Sequence, residues 1–308
     1  MESAVQTVGE SPRVSVVIAT YNRAPFLPET LEGVLRQTFK DYEVIVVDDG
    51  STDDTRRIVE SCGAKVRYVY QDNRGASAAR NLGVRLARAP WIAIQDSDDV
   101  PLPDHLQTLY RYAESRPDCG LVFANGGYLG GPQHRRETII PPRKSRRLAR
   151  RGVAVDDLFE KSIIRLQASL IRKDCYEAVG GHDETLRICG DLDLFFRLLA
   201  RFPAGYVDRV VFLYRRHPGN MTRNEELRLV ENIRVLERLV SDFPETAAAL
   251  GRRRIARRLA YRHYRLAKGR WRRHERAAAS EALRRAISLR PYAMKYWLYL
   301  LLWAAAGR

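Results

Sequence analysis

In the stretch WIAIQDSDDV, residues 91–100, an apolar run ends directly in Asp96, Asp98 and Asp99. Ionised carboxylates this close repel one another and resist burial, so such a cluster needs a positive partner or open solvent. A divalent cation, a basic protein segment and a solvated loop tip would each satisfy it. An all-oxygen donor set at this spacing suits Mg2+ or Mn2+, and Mg2+ usually shares its coordination with substrate phosphates. A second acid pair, Asp48 and Asp49, ends another Val/Ile run in EVIVVDDGSTDDT, residues 43–55. Ser51 to Asp54 read there as turn and helix-cap residues. A carboxylate held at the strand end, by contrast, can accept a hydrogen bond from a nucleobase imide or a ribose hydroxyl. A third polar group, Thr20, Tyr21, Asn22 and Arg23, closes the run VSVVIAT, residues 14–20. Asp191 and Asp193 open the periodic segment GDLDLFFRLLARF, residues 190–202, where acids match the positive end of a helix. Residues two apart do not share a helix face, so at most one of the pair points into a site. His217, last in YVDRVVFLYRRH, reads on its own as structural.

The elements that position these groups alternate. VSVVIAT is a strand buried on both faces, and Leu27, Leu31, Val34 and Leu35 follow at helical spacing. EVIVV, a short helix, VRYVY (66–70), the small-residue helix GASAARNLGVRLARA (75–89) and WIAIQ (91–95) come next. A helix from near Pro103 and the strand GLVFAN (120–125) complete the first half. This pattern predicts a mostly parallel α/β sheet, in which ligands bind beyond the carboxyl ends of the strands. A parallel sheet would bring the three polar clusters to one rim. Residues 126–152 read as a basic loop, residues 156–184 as helix, strand and helix ending at Gly180-Gly181, and 206–217 as a long strand. From about residue 224 onward the pattern is helical. There is no GxGxxG after the first strand and no GxxxxGK[ST], so the dinucleotide and P-loop readings lose most of their support.

The 308 residues carry formal charge +16, with 45% hydrophobic and 29% charged residues, the composition of an ordinary globular protein. The basic charge is concentrated. RKSRRLARR (143–151) holds six Lys/Arg and no acid, and residues 252–276 hold twelve against Glu275 alone. Cys62, Cys119, Cys175 and Cys189 lack metal-ligand spacing, and MESAVQTVGESPR lacks the basic start and apolar run of an export signal. Both features lead to a cytoplasmic expectation. The apolar run YWLYLLLWAAAG (296–307) is shorter than the roughly 20 residues that span a bilayer, but it can lie at an interface. The basic tail has three readings: a packing appendage, a peripheral contact with an anionic membrane surface, or nucleic-acid binding. No helix-turn-helix, zinc-finger or RNP pattern supports the last.

The series VSVVIATYNRAPFLPETLEGVLRQTFKDYEVIVVDDGSTDDT, QDNRGASAARNLG, IQDSDDVPLPDHL, GGHDETLRICGDLDLFFRL and YRRHPGNMT resembles a family-2 glycosyltransferase of the GT-A fold over residues 13–223. The resemblance implies a Rossmann-like, mostly parallel central sheet with helices on both faces and a C-terminal helical appendage. It divides the chain into an N-terminal tail (1–12), a catalytic domain (13–223) and a basic helical region (224–308). It further implies inverting transfer of a sugar from a nucleotide-diphosphate sugar, a UDP-sugar by preference, to an acceptor hydroxyl on a glycan or glycolipid of the cell envelope. By the same resemblance Thr20, Tyr21, Asn22, Arg23, Asp49, Arg80, Asn81, Asp96 and Asp98 surround the donor. Asp98, Asp99 and His217 hold Mn2+ or Mg2+, and Asp191 is the catalytic base. The chain departs from the family in one place: Gly190 precedes Asp191 where Glu is usual, which bears on how the acceptor is positioned. The chemistry fits the residues in its own right. A divalent cation stabilises charge on a diphosphate leaving group, and an ionised Asp can take the acceptor proton without a covalent intermediate. A non-catalytic sugar-nucleotide-binding scaffold and a nucleic-acid-binding protein are the alternative expectations.

Overall fold

The computed structural model describes residues 11–129, 137–160, 162–220 and 224–306. Residues 1–10 of the expected tail, 130–136 of the basic loop, and 221–223 at the expected domain boundary lie outside the described residues.

Eight strands form one sheet: β1 (Val14–Thr20), β2 (Tyr42–Asp48), β3 (Arg67–Tyr70), β4 (Trp91–Asp96), β5 (Val100–Pro101), β6 (Leu121–Leu129), β7 (Ser169–Arg172) and β8 (Ala204–Arg215). Their order is β3-β2-β1-β4-β7-β6-β8-β5. The Val/Ile-rich runs become the central strands because branched side chains pack well on a pleated surface covered on both sides. β3, β2, β1 and β4 run parallel, as does the β6–β8 pair. β7 lies antiparallel between β4 and β6, and β5 is antiparallel to β8. The expected parallel pairing therefore holds strictly among β1 to β4, and the rest of the sheet is mixed.

Successive strand residues point to opposite faces, and the packing follows that period. Val14, Val16 and Ile18 of β1, with Val44 and Val46 of β2, share a core with α1 (Leu27–Leu35) and α4 (His105–Ser115). On the other face α3 (Ala76–Leu86) sits against Val17 and Val47. Its stripe of Ala and Gly permits that approach, since a Cβ at Gly83 would collide with Val17. The short α2 (Thr55–Glu60) links β2 to β3. In register, Thr20 faces Asp48 and Ala19 faces Asp96. The three polar clusters thus share one rim.

The chain divides into two compact units, Met1–Arg187 with Arg201–Arg216, and Ile188–Ala200 with His217–Arg308. In the first unit, RKSRRLARR is helical rather than loop: it forms most of α5 (Pro142–Arg151). Leu148 and Ser145 are buried, and Arg147 and Arg151 bind the buried Asp157 carboxylate at 2.8 and 2.7 Å. Asp157 belongs to α6 (Val155–Glu160), and it supplies the compensating charge that the run itself lacks. α7 (Lys173–Ala178) follows β7.

The second unit is helical: α8 (Gly190–Leu199), α9 (Glu225–Asp242), α10 (Pro244–Leu250), α11 (Arg252–Arg272), α12 (Arg276–Leu289) and α13 (Met294–Ala306). α8 carries Asp191 and groups with the C-terminal helices. The aromatic ring of Trp271 on α11 stacks on Trp303 of α13, with centroids 4.4 Å apart and planes 5° from parallel. Among the described residues no helix is long and apolar enough to cross a membrane.

Candidate functional site

The rim is built from strand ends and the turns that follow them. Asp48 accepts a hydrogen bond from the Ser51 amide at 2.8 Å and one from the Tyr68 hydroxyl at 2.8 Å. Burial and that carboxylate push the Tyr68 phenol well above its ordinary value. Asn22 adopts φ +49°, a left-handed conformation that Asn tolerates better than most residues. In that pose its amide donates to the Ser51 hydroxyl at 2.9 Å and its side-chain oxygen accepts from the Thr52 amide at 2.8 Å. Asn22 therefore ties the β1 turn to the β2 turn.

Asp49 is buried, and its two oxygens accept from Gln71, from the Arg74 amide and from the Gly75 amide at 2.6, 2.9 and 2.8 Å. Gly75 has φ +94°, which a side chain would disfavour, and α3 begins at the next residue. Asp49 thus shapes the loop that leads into α3. Thr20 is buried with no partner for its hydroxyl, whereas Tyr21 is 46% exposed at the same rim.

The three acids after β4 come together. One oxygen from each of Asp96, Asp98 and Asp99 lies within 4.8 Å of the others. Their surroundings differ. Asp96 is bound by Arg80 at 2.7 Å and by the Gln167 amide. Asp98 lies 3.7 Å from the Arg23 guanidinium. Asp99 is 0% exposed: one carboxylate oxygen accepts from the Arg215 amide at 2.8 Å, and the other has no hydrogen-bond partner. Burial first, then the neighbouring Asp96, pushes the Asp99 carboxyl well above the usual carboxylate range. A buried carboxylate oxygen with no donor is costly unless a cation or proton meets it. The donor chemistry fits a hard divalent cation, which takes oxygen ligands.

Arg215, at the end of β8, holds this turn from the far side. Its Nε donates to the Asp98 carbonyl at 3.0 Å, its terminal nitrogen pairs with Glu29, and its guanidinium lies 5.4 Å from the Phe26 ring centroid. Asn81 is committed elsewhere in the same unit: it bonds His182 through both amide atoms at 2.9 Å and Glu184 at 3.0 Å, and it accepts from Tyr176 at 2.6 Å. It fastens the segment that follows Gly181.

Asp191 and Asp193 both lie in the first turn of α8, and their settings are unlike. Asp193 is buried, with a two-pronged contact to Arg197 at 2.8 and 2.6 Å and Arg238 at 3.6 Å. Asp191 is half-buried. The side chain of the N-cap residue, Cys189, does not cap α8. Glu231 of α9 does so instead, one carboxylate oxygen accepting from the Ile188 and Cys189 amides at 2.8 Å each. His217 lies two residues past β8, its ring nitrogen accepting from the Gly219 amide at 3.2 Å.

Residues 15–173, more than half of the chain, match the model of glycosyl transferase family 2. The chain belongs to that family. An uncharacterized glycosyltransferase of Rickettsia prowazekii is 28% identical over 221 residues, covering 72% of this chain and 69% of the relative. The fold is that of TarS of Staphylococcus aureus, solved with UDP-GlcNAc: TM-score 0.64, 18% identity, 90% of this chain and 81% of the other. The mannosyltransferase PcManGT of Pyrobaculum calidifontis, solved with GDP-Man and Mn2+, superposes with TM-score 0.61 at 20% identity over 96% of this chain and 85% of its own. Both likenesses establish the GT-A fold of this glycosyltransferase.

Sequence reasoning missed three residues around the rim acids: Arg215, Gln167 and Arg165. Gln167 and Arg165 precede β7, the antiparallel neighbour of β4, and Arg165 contributes positive charge near Asp99. Each reaches its acid from a distant point in the chain. The Arg pair in YRRHPGNMT was the single local signal.

Proposed function

We propose that this glycosyltransferase moves a sugar, with inversion, from a UDP-sugar to an acceptor hydroxyl on a glycan or glycolipid of the cell envelope. The observation that carries the reading is the acid trio on the rim, with one buried Asp99 oxygen left without a hydrogen-bond partner. Asp98 and Asp99, with Asp96 beside them and His217, are the residues that would hold Mn2+ or Mg2+. Bound there, the cation would stabilise negative charge on the diphosphate leaving group.

The remaining roles belong to the chain itself. Thr20, Tyr21, Asn22 and Arg23 line the donor's base and ribose, and the Thr20 hydroxyl is free to bond a ligand. Asp49 supports that wall through the 71–75 loop, and Arg80 orients Asp96. Asn81 acts in the donor region by holding the 182–184 segment. Asp191 takes the acceptor proton; its half-buried setting, against the burial of Asp193, supports that role. UDP-GlcNAc in TarS, and GDP-Man with Mn2+ in PcManGT, support the donor class. The same reading puts the enzyme at a cytoplasmic membrane face, where donor and lipid-linked acceptor meet.

The test is a panel of UDP- and GDP-sugars with Mn2+, Mg2+ or EDTA, read as thermal stabilisation and as nucleotide release with an acceptor pool. A ligand that binds the native state raises its stability by mass action. A UDP-sugar should stabilise the protein with Mn2+ and not with EDTA. Equal response in chelator would remove the cation, and stabilisation without any turnover would leave a binding scaffold.

A further inference from the structure

α13 has two apolar faces, and only one of them is used by the fold. Tyr296 and Trp303 are buried; Trp303 stacks on Trp271, and Tyr296 and Tyr299 lie 5.3 Å from Tyr264 of α11. On the other face Met294, Trp297, Leu298, Leu301 and Leu302 recur at the three- and four-residue spacing of one helical stripe. Their exposure runs from 41% at Trp297 to 76% at Met294. A contiguous apolar stripe left in water marks a contact surface.

The surroundings of the stripe say what covers it. Residues 251–308 hold seventeen Lys/Arg against Glu275 and Glu281, and residues 290–308 contain no acid. Lysines sit along the flank: Lys295 lies over the Tyr264 and Tyr261 rings at 4.4 and 5.8 Å, and Lys268 lies over Tyr299 at 5.6 Å. A second copy of the chain would bring two such basic surfaces together, and like charge opposes that pairing. An anionic lipid surface matches both the apolar stripe and its charge. At about 1.5 Å per residue, the 13 residues of α13 extend about 20 Å, short of the ~30 Å hydrocarbon layer. The helix therefore lies along the surface, with Trp and Tyr at the headgroup level.

We infer that the outer face of α13, flanked by Lys295 and by Lys268 of α11, is a docking surface for an anionic bilayer. This rests on the peripheral membrane reading above and assigns it to one face of one helix. On binding, Trp297 and the three leucines enter the headgroup boundary while Lys268 and Lys295 remain among lipid phosphates.

Full-length protein is tested by sedimentation with vesicles of phosphatidylcholine alone or mixed with phosphatidylglycerol, at low and high salt. The wild type should sediment with the anionic vesicles, at least tenfold less at high salt, and remain in the supernatant with phosphatidylcholine alone. The triple variant Leu298→Gln, Leu301→Gln, Leu302→Gln changes exposed positions only and should lose at least tenfold in partitioning. In a second measurement, brominated acyl chains should quench wild-type tryptophan fluorescence more than that of Trp297→Phe. Wild-type protein that ignores anionic vesicles overturns both the peripheral reading and this face. Equal partitioning of wild type and triple variant, or equal quenching, overturns the face while leaving a membrane contact elsewhere. A low-salt dimer that the triple variant abolishes, without vesicle binding, would give the stripe to a second copy.

Discussion

The strand-end rim and the helical unit both bury aspartates, and they treat them in opposite ways. Asp193 in the helical unit is enclosed by Arg197 and Arg238, so its charge is met by the protein. Asp99 on the rim is buried just as deeply, yet one of its oxygens meets no donor while Asp96 and Asp98 add like charge beside it. A carboxylate whose bonds are filled from within holds the fold together. One kept short of a partner is open to a ligand. Within α8 Asp193 is buried, whereas Asp191, two residues away on the same turn, is half-buried.

The contrast is tested most severely by neutralising those two acids in turn. Asp191→Asn should lower transfer by three orders of magnitude or more while donor affinity and thermal stability stay near wild type. Asp193→Asn should do the reverse. Leaving Arg197 without its buried counter-charge costs about 3–5 kcal/mol, with turnover per folded molecule little changed. Chemical denaturation and single-turnover assays on both variants decide this, and exchanged outcomes would make Asp193 the base.

A smaller effect concerns a buried group that needs no ligand. His105 is fully enclosed beneath β4, and burial lowers its pKa from 6.5 to about 4. The unfolded chain therefore binds a proton there at pH values where the folded chain does not, so stability falls as pH drops from about 6.5 towards 4. The contribution lost is on the order of 3 kcal/mol. Denaturant midpoints between pH 7 and pH 4.5 should decline less steeply in His105→Asn than in wild type. Parallel slopes would assign the acid sensitivity elsewhere, with His263, also lowered to about 4 by burial, as the next group to replace.

Much of the first unit could be read from local pattern. The Val/Ile runs, the small-residue stripe of α3 and the acids at the ends of β2 and β4 fall where their spacing placed them. Those signals are short-range. The long-range ones were invisible: β7 enters antiparallel beside β4, bringing Gln167 to Asp96, and β8 returns Arg215 to Asp98 and Asp99. α5 was missed because an Arg-rich run looks unable to fold until the buried Asp157 meets it. Asn81, expected near the donor, spends its amide on His182 and Glu184, a use that no spacing rule encodes. Gly190, flagged for lacking an acid, lies beside amides that Glu231 caps from α9.

The central claim is that the rim acids are reserved for a cation that a nucleoside diphosphate shares. Calorimetric titration of UDP into wild-type protein, Asp98→Ala and Asp99→Asn, each with Mn2+ and with EDTA, addresses it directly. In wild type, Mn2+ should raise UDP affinity at least tenfold, and both variants should bind UDP equally weakly with or without the metal. Undiminished Mn2+-dependent UDP binding in both variants would contradict the account and return the acid trio to a structural turn.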